Sequence, residues 1–95
     1  MQFLVLGYDG TDEGAPERRL RVRDAHLAGV KRMFADGTLL EAGAILDDAG
    51  KMVGSCCIVE MADRAAVDTW LRNDPYTVGD VWRRVEVRPF RRAPR

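Results

Sequence analysis

Two residues in this chain are hard to read as solvated surface: His26, the only histidine, and Asp74. Asp74 follows Val67 by seven positions, Trp70 by four and Leu71 by three, so its side chain continues the apolar face of a helix. It also stands at the C-terminal end of that helix, where the backbone dipole disfavours a carboxylate, and Pro75 follows it. A carboxylate so placed needs a cationic or hydrogen-bond-donating partner, and a histidine would serve. His26 comes four residues after Val22 and four before Val30, at the flank of a stripe made by Leu20, Leu27 and Phe34. An imidazole titrates near neutrality, and facing a carboxylate it is equipped to take or give a proton. Each residue also has a plainer reading. His26 can be a boundary histidine, and Asn73-Asp74-Pro75 can be a C-cap turn whose carboxylate swings into water.

Other residues could surround such a pair. Arg23 precedes His26 by three positions and could hold a substrate anion, or be a solvated helix arginine. Tyr8 and Asp9 close the first strand and could rim a cleft. Gly43 interrupts a strand, which suggests a bulge or a close backbone approach, possible for a ligand too. Ser55 can donate one hydrogen bond, but no base stands near it in sequence, so it is not assigned as a nucleophile. Tyr76 could line a pocket. Other chemistries find no support. One histidine and the adjacent pair Cys56-Cys57 do not make a zinc set. There is no phosphate-cradling glycine loop and no dinucleotide fingerprint. The stretch Gly54-Ser55-Cys56-Cys57-Ile58-Val59 lacks the aromatics on which RNA bases stack. A cofactor-free site is the simplest reading.

The elements that must position these residues are legible from periodicity. Residues 2–8 form a short apolar run, a buried strand, and residues 9–14 carry turn chemistry. Pro16 is a favourable first helical position, Glu17 suits the first turn and Gly37 is a stop, so residues 16–36 make a helix with Leu20, Leu27, Val30 and Phe34 inward. Residues 39–46 are a second strand, 47–51 a hairpin turn and 53–61 a third strand. Asp63 can cap a second helix with Val67, Trp70 and Leu71 inside, and Pro75 ends it. After a connection through Gly79, residues 81–90 form a fourth strand in which Val85 and Val87 alternate with Arg84, Glu86 and Arg88. The order is β-α-β-β-α-β, an α+β ferredoxin-like arrangement with a four-stranded antiparallel sheet and two helices on one face.

Ninety-five residues make one domain, here 1–95 with about 91–95 as a flexible tail, and 46% hydrophobic against 32% charged residues fits a globular protein. Fifteen basic and fifteen acidic side chains cancel, so no long-range field draws the chain to nucleic acid or membrane. Six arginines between Arg83 and Arg95 against the single Glu86 form a solvated edge or an anion-binding surface. No leader or membrane-spanning run is visible, and Cys56 and Cys57, pointing to opposite faces of a strand, read as reduced; the expected location is cytoplasmic. Strands one and three are central in this layout and apolar on both sides. Two helices cover one face only. The other would be an exposed apolar patch, so a second copy is expected to pack on it as a homodimer.

Taken in order, Val5-Leu6-Gly7-Tyr8-Asp9-Gly10, Arg23-Asp24-Ala25-His26-Leu27, Asp36-Gly37-Thr38-Leu39-Leu40-Glu41-Ala42-Gly43, Asn73-Asp74-Pro75-Tyr76 and Val85-Glu86-Val87-Arg88-Pro89-Phe90 resemble the YciI-like, or YCII-related, family over almost the whole chain. Each piece alone is a weak motif; the ordered set is fairly specific. The resemblance implies a dimeric α+β barrel of ferredoxin-like protomers and an active-site His–Asp pair, which falls on His26 and Asp74. Ala44 departs from the resemblance, since a proline often follows the glycine. The expected function is a small cofactor-independent enzyme in which His26 moves a proton on a small, oxygenated or cyclic substrate while Asp74 orients the imidazole, as in isomerisation or elimination beside a carbonyl. Arg23 or a tail arginine would bind a substrate anion. The rival is a dimeric module that binds a small ligand, or assists a pathway enzyme, without catalysis. A cavity beside the pair separates a binding or catalytic site from a purely structural contact.

Overall fold

The computed structural model describes residues 1–95. Its elements run β1 (Gln2–Asp9), α1 (Ala15–Asp36), β2 (Leu39–Leu46), β3 (Met52–Glu60), α2 (Arg64–Asn73), α3 (Pro75–Val78) and β4 (Trp82–Phe90). The four strands form one sheet in the order β2-β3-β1-β4, every neighbour antiparallel. This is the ferredoxin-like α+β fold, with β1 and β3 central as their continuous apolar runs require. No helix is long and apolar enough to cross a membrane.

Strand alternation divides the sheet into two faces. Phe3 and Val5 of β1 pair with Val59 and Cys57 of β3 on the helix-covered side. With Leu39 and Val67 they form the main core, against which Val30, Met33 and Trp70 pack. A second cluster, Tyr76, Val81 and Trp82, with Val22 and Leu71 against it, lies at the other end of the helices. The opposite face of the sheet carries the half-buried Leu4, Leu6, Cys56 and Ile58, and no element of the chain covers it.

The termini of the helices follow local chemistry. Pro16 sits in the first turn of α1, and Gly37 ends the helix at φ 82°, a left-handed geometry that favours glycine. The Asp63 carboxylate caps α2 by accepting from the Ala66 amide at 2.9 Å. Two glycines permit close approach near the second cluster. A Cβ on Gly7 would fall 2.6 Å from the Trp82 indole, and one on Gly79 would fall 2.9 Å from the Pro75 carbonyl and 3.1 Å from Val22. The first lets Trp82 lie on β1, and the second lets α3 reach α1.

Three expectations are corrected. Pro75 does end α2, but it also opens the one-turn helix α3 at its first position, where proline fits because its missing N–H has no partner to lose. The inward stripe of α1 is displaced: Leu20 is 61% exposed, Phe34 46% and Leu27 40%, whereas Arg19 is buried and Val22, Val30 and Met33 pack inward. Polar residues hold two inward positions of this helix, Arg19 and His26, and so the centre of its apolar residues does not mark its buried face. Gly43 forms no bulge. It pairs in regular register with Cys56, and the irregularities fall between Leu39 and Glu41 and between Ile45 and Leu46.

Candidate active site

The second cluster is where the two residues separated by 48 positions meet. His26 Nδ1 lies 2.9 Å from Asp74 Oδ2, with side-chain exposures of 12% and 6%. Helix α1 supplies the imidazole from its inward face, and the junction of α2 and α3 supplies the carboxylate. The same Oδ2 accepts the Tyr76 amide at 2.9 Å. Asp74 is thus both the C-cap of α2 and the N-cap of α3. Its carboxylate sits at the favourable end of α3, which offsets the adverse dipole of α2.

This arrangement fixes the tautomer. An ionised carboxylate can only accept, so Nδ1 must donate, and a neutral ring then keeps its lone pair on Nε2. Nε2 makes no hydrogen bond within the protein. The ring plane is held by a hydrogen bond and by stacking. Tyr76 lies parallel to the imidazole at 3.8 Å and 13°, and Trp82 stands edge-on to both rings, at 5.9 Å from His26 and 5.5 Å from Tyr76. Burial pushes the Tyr76 phenol up, against the opposing pull of the Arg19 and Arg23 charges, so Tyr76 stays neutral at physiological pH.

A second buried pair stands seven residues earlier on α1. Arg19 Nη1 donates to both Asp9 carboxylate oxygens, at 2.9 and 3.0 Å, and Nη2 donates to Ser55 Oγ at 3.0 Å. The side chains of Arg19 and Asp9 are 5% and 4% exposed. The guanidinium also lies 4.6 Å from the Tyr76 centroid, so one phenol ring touches both inward polar groups of α1. Trp82 Nε1 donates to the same Ser55 oxygen at 3.2 Å.

These groups wall a cavity of about 220 Å³ between α1 and the β2–β3 half of the sheet. Arg19, Arg23, His26 and Ser55 give it a polar end, and Leu27, Val30, Phe34, Leu39 and Trp70 line it with carbon. An apolar cavity of about 150 Å³ holds benzene, so the space suits one substituted ring. Cys57 belongs to the wall. Burial raises its thiol to about 12, with Cys56 and Asp74 adding to the effect, so it stays protonated and is a poor nucleophile at neutral pH.

Of the residues expected from sequence, the cavity gathers His26, Arg23, Gly43, Ser55 and Tyr76, with Asp74 behind the imidazole. Arg23 reaches it without any ion-pair partner, and a Cβ on Gly43 would meet only open space. Ala44, the departure from the family pattern, also lines it. Two expected residues lie elsewhere. Tyr8 projects from the opposite face of the sheet, where the Arg84 guanidinium covers its ring at 4.1 Å. Asp9 does not rim the cleft, because Arg19 draws its carboxylate inside. The arginines near the C-terminus stay out of the cavity; Arg83, Arg84 and Arg88 pair with Asp80 and Glu86 at the surface. Arg19 and Trp82 are the residues that the sequence did not single out. The seven-residue spacing of Arg19 from His26, which places both on one helix face, was the available signal.

The model for the YCII-related domain matches residues 1–91. Protein YciI of Escherichia coli is 34% identical over 99 residues, which cover 98% of this chain and 99% of that protein. Among solved structures, the 5-chloro-2-hydroxyhydroquinone dehydrochlorinase TftG of Burkholderia phenoliruptrix, in complex with 2,5-dihydroxybenzoquinone, is similar at a TM-score of 0.85 and 26% identity, with 98% of this chain and 96% of that one covered. A dimeric ferredoxin-like protein of unknown function from Jannaschia shares the fold at a TM-score of 0.50 and 16% identity, covering 90% of this chain and 93% of that one. By its domain match and by near full-length identity to YciI, the chain belongs to the YCII-related family.

Proposed function

We propose that this protein is a small cofactor-independent enzyme in which His26 moves a proton on a monocyclic, oxygenated substrate and Asp74 holds the imidazole in its working tautomer. The observation that carries the reading is the pairing of Nδ1 with a buried carboxylate while Nε2, the basic nitrogen, is left without a partner in a residue that lines a cavity. Proton abstraction beside a carbonyl needs a positioned base and a place for the resulting negative charge. The C–H pair becomes a C=C bond, the carbonyl π pair moves to oxygen and the proton rests on Nε2. Returning it to another carbon is an isomerisation. In an elimination the oxygen pair re-forms the carbonyl, the C=C shifts and the neighbouring C–X bond breaks to give halide, and Nε2 passes its proton to water. A chlorinated hydroquinone enters as the enol: one hydroxyl ketonises as the chlorine-bearing carbon is protonated, and His26 then takes the proton of the hydroxyl across the ring, whose oxygen pair becomes a carbonyl as chloride leaves. The imidazolium formed on the way is stabilised by Asp74. The likeness to the TftG dehydrochlorinase favours the elimination, and a hydroxylated six-membered ring is of a size the cavity takes.

The test is chloride release from 5-chloro-2-hydroxyhydroquinone by wild type, His26→Ala and Asp74→Asn proteins. His26→Ala is expected to lower turnover by at least about a hundredfold. Equal rates in wild type and His26→Ala would contradict the reading. Binding of 2,5-dihydroxybenzoquinone by a wild type that turns nothing over would favour the rival, a non-catalytic binding module.

We also infer that two copies pair through the uncovered sheet face, since Leu4, Leu6 and Ile58 have no cover within the chain. Sedimentation equilibrium should give twice the chain mass for wild type and a lower mass for Leu6→Lys; a monomeric wild type would refute the pairing.

A further inference from the structure

We propose that Ser55 is a hydrogen-bond donor oriented in advance toward the ligand, and that the site therefore selects substrates carrying a carbonyl or enolate oxygen at that position. This rests on the His26 chemistry proposed above for its role in turnover, but not for the direction of the hydrogen bond. A serine hydroxyl has two lone pairs and one proton. Ser55 Oγ accepts from Arg19 Nη2 at 3.0 Å and from Trp82 Nε1 at 3.2 Å. Guanidinium and indole N–H groups donate and cannot accept. Both lone pairs are therefore engaged, and the proton has to point away from both partners. No acceptor of the protein receives it, and Ser55 is a lining residue of the cavity.

The same geometry excludes Ser55 as a nucleophile. A serine nucleophile needs a base to take its proton, and both side chains bonded to Ser55 present protons of their own. What they do instead is polarise the O–H bond. Arg19 is a cation fixed by Asp9, and a hydroxyl that accepts a charge-assisted bond donates more strongly. Ser55 stands on the central strand β3, opposite Gly7, whose missing Cβ makes room for the Trp82 indole. The donor is thus held by a strand, an ion pair and an indole rather than by a mobile loop. When His26 takes a proton, the carbonyl oxygen becomes an enolate oxygen, a stronger acceptor, and a donor aimed beforehand stabilises it most at that moment. Trp82 links the two ends, edge-on to the imidazole at 5.9 Å while bonded to Ser55.

The experiment measures by calorimetry the affinity of 2,5-dihydroxybenzoquinone, which carries acceptor oxygens, and of p-xylene, a ring without them, for wild type, Ser55→Ala and Ser55→Thr. Chloride release by wild type and His26→Ala is measured alongside. Ser55→Ala is expected to weaken quinone binding at least about tenfold, the worth of a hydrogen bond to a charged group, and Ser55→Thr to restore it. Binding of p-xylene should not change among the three. Wild-type quinone affinity in Ser55→Ala, with turnover still dependent on His26, overturns this inference alone. Ser55-dependent binding with full turnover in His26→Ala overturns the proposed function and leaves the donor assignment standing. Failure of wild type to bind the quinone overturns both.

Discussion

Two buried side-chain pairs hang from the same face of α1, seven residues apart, and they are finished differently. Arg19 faces Asp9 with both carboxylate oxygens engaged, and its remaining amino group is spent on Ser55. His26 faces Asp74 through one ring nitrogen and leaves the other unbonded beside a cavity. The burial is alike, 5% and 4% side-chain exposure in one pair and 12% and 6% in the other. The partners are not: Arg19 spends both amino groups on side chains of the protein, with only its buried Nε unpaired, whereas the imidazole keeps a basic nitrogen free beside the cavity. A permanently charged guanidinium whose partners are all internal is scaffold. An imidazole with one ring nitrogen unbonded beside a cavity is poised for work. The first pair should therefore be felt in stability and the second in turnover.

The largest effect expected is on the closed pair. Asp9→Ala strands the Arg19 charge inside the protein and should cost about 3–5 kcal/mol in urea denaturation. The double change Asp9→Leu with Arg19→Met should recover much of that loss, because no unpaired charge remains. A loss in Asp9→Ala no greater than in Asp74→Asn would break the comparison. Next comes the support of the aromatic corner. In Gly7→Ala the new methyl meets the Trp82 ring, which must shift, at a cost of about 1–3 kcal/mol and with a change in tryptophan emission.

Asp74→Asn should cost less, about 1 kcal/mol, because asparagine still caps α3 and a neutral imidazole strands no charge. Its effect belongs in chloride release, where the loss should far exceed what unfolding explains. The smallest effect is at another arginine–aspartate contact, Arg18 with Asp12, which lies at the surface. Its side-chain hydrogen bonds hold the Asp12 carboxyl down at about 2, below its ordinary 3.8. A depressed carboxyl adds stability above its unfolded value, and the protein loses that contribution as pH falls from about 4 to about 2. Asp12→Asn should flatten the acid limb of the stability curve across that window, lowering stability slightly at neutral pH and matching wild type below about pH 2.

The contrast also explains what the sequence could reveal. Asp74 was legible because seven-, four- and three-residue spacings to Val67, Trp70 and Leu71 set its phase without reference to the rest of the fold. Its partner followed, because the chain has a single histidine. The strand and helix order was equally clear, since apolar runs and turn residues are local signals. Arg19 was not legible. An arginine on a helix between Arg18 and Leu20 reads as surface, and its acceptor Asp9 reads as part of a turn; only the packing of α1 on the rest of the fold brings them together. The same packing sets the positions of Leu20, Leu27 and Phe34. With two polar residues on the inward face, the apolar residues drift to its flank. Leu27 and Phe34 then line the cavity and Leu20 meets solvent. The second role of Pro75 was hidden for a related reason: ending one helix and starting another call for the same residue.

The most direct measurement is the protonation pattern of the His26 ring by long-range ¹H–¹⁵N correlation, unambiguous because the chain has one histidine. The neutral ring is expected to carry its proton on Nδ1 with Nε2 bare, and Asp74→Asn to remove this preference. A neutral ring protonated at Nε2, or a pattern indifferent to Asp74, would contradict this expectation.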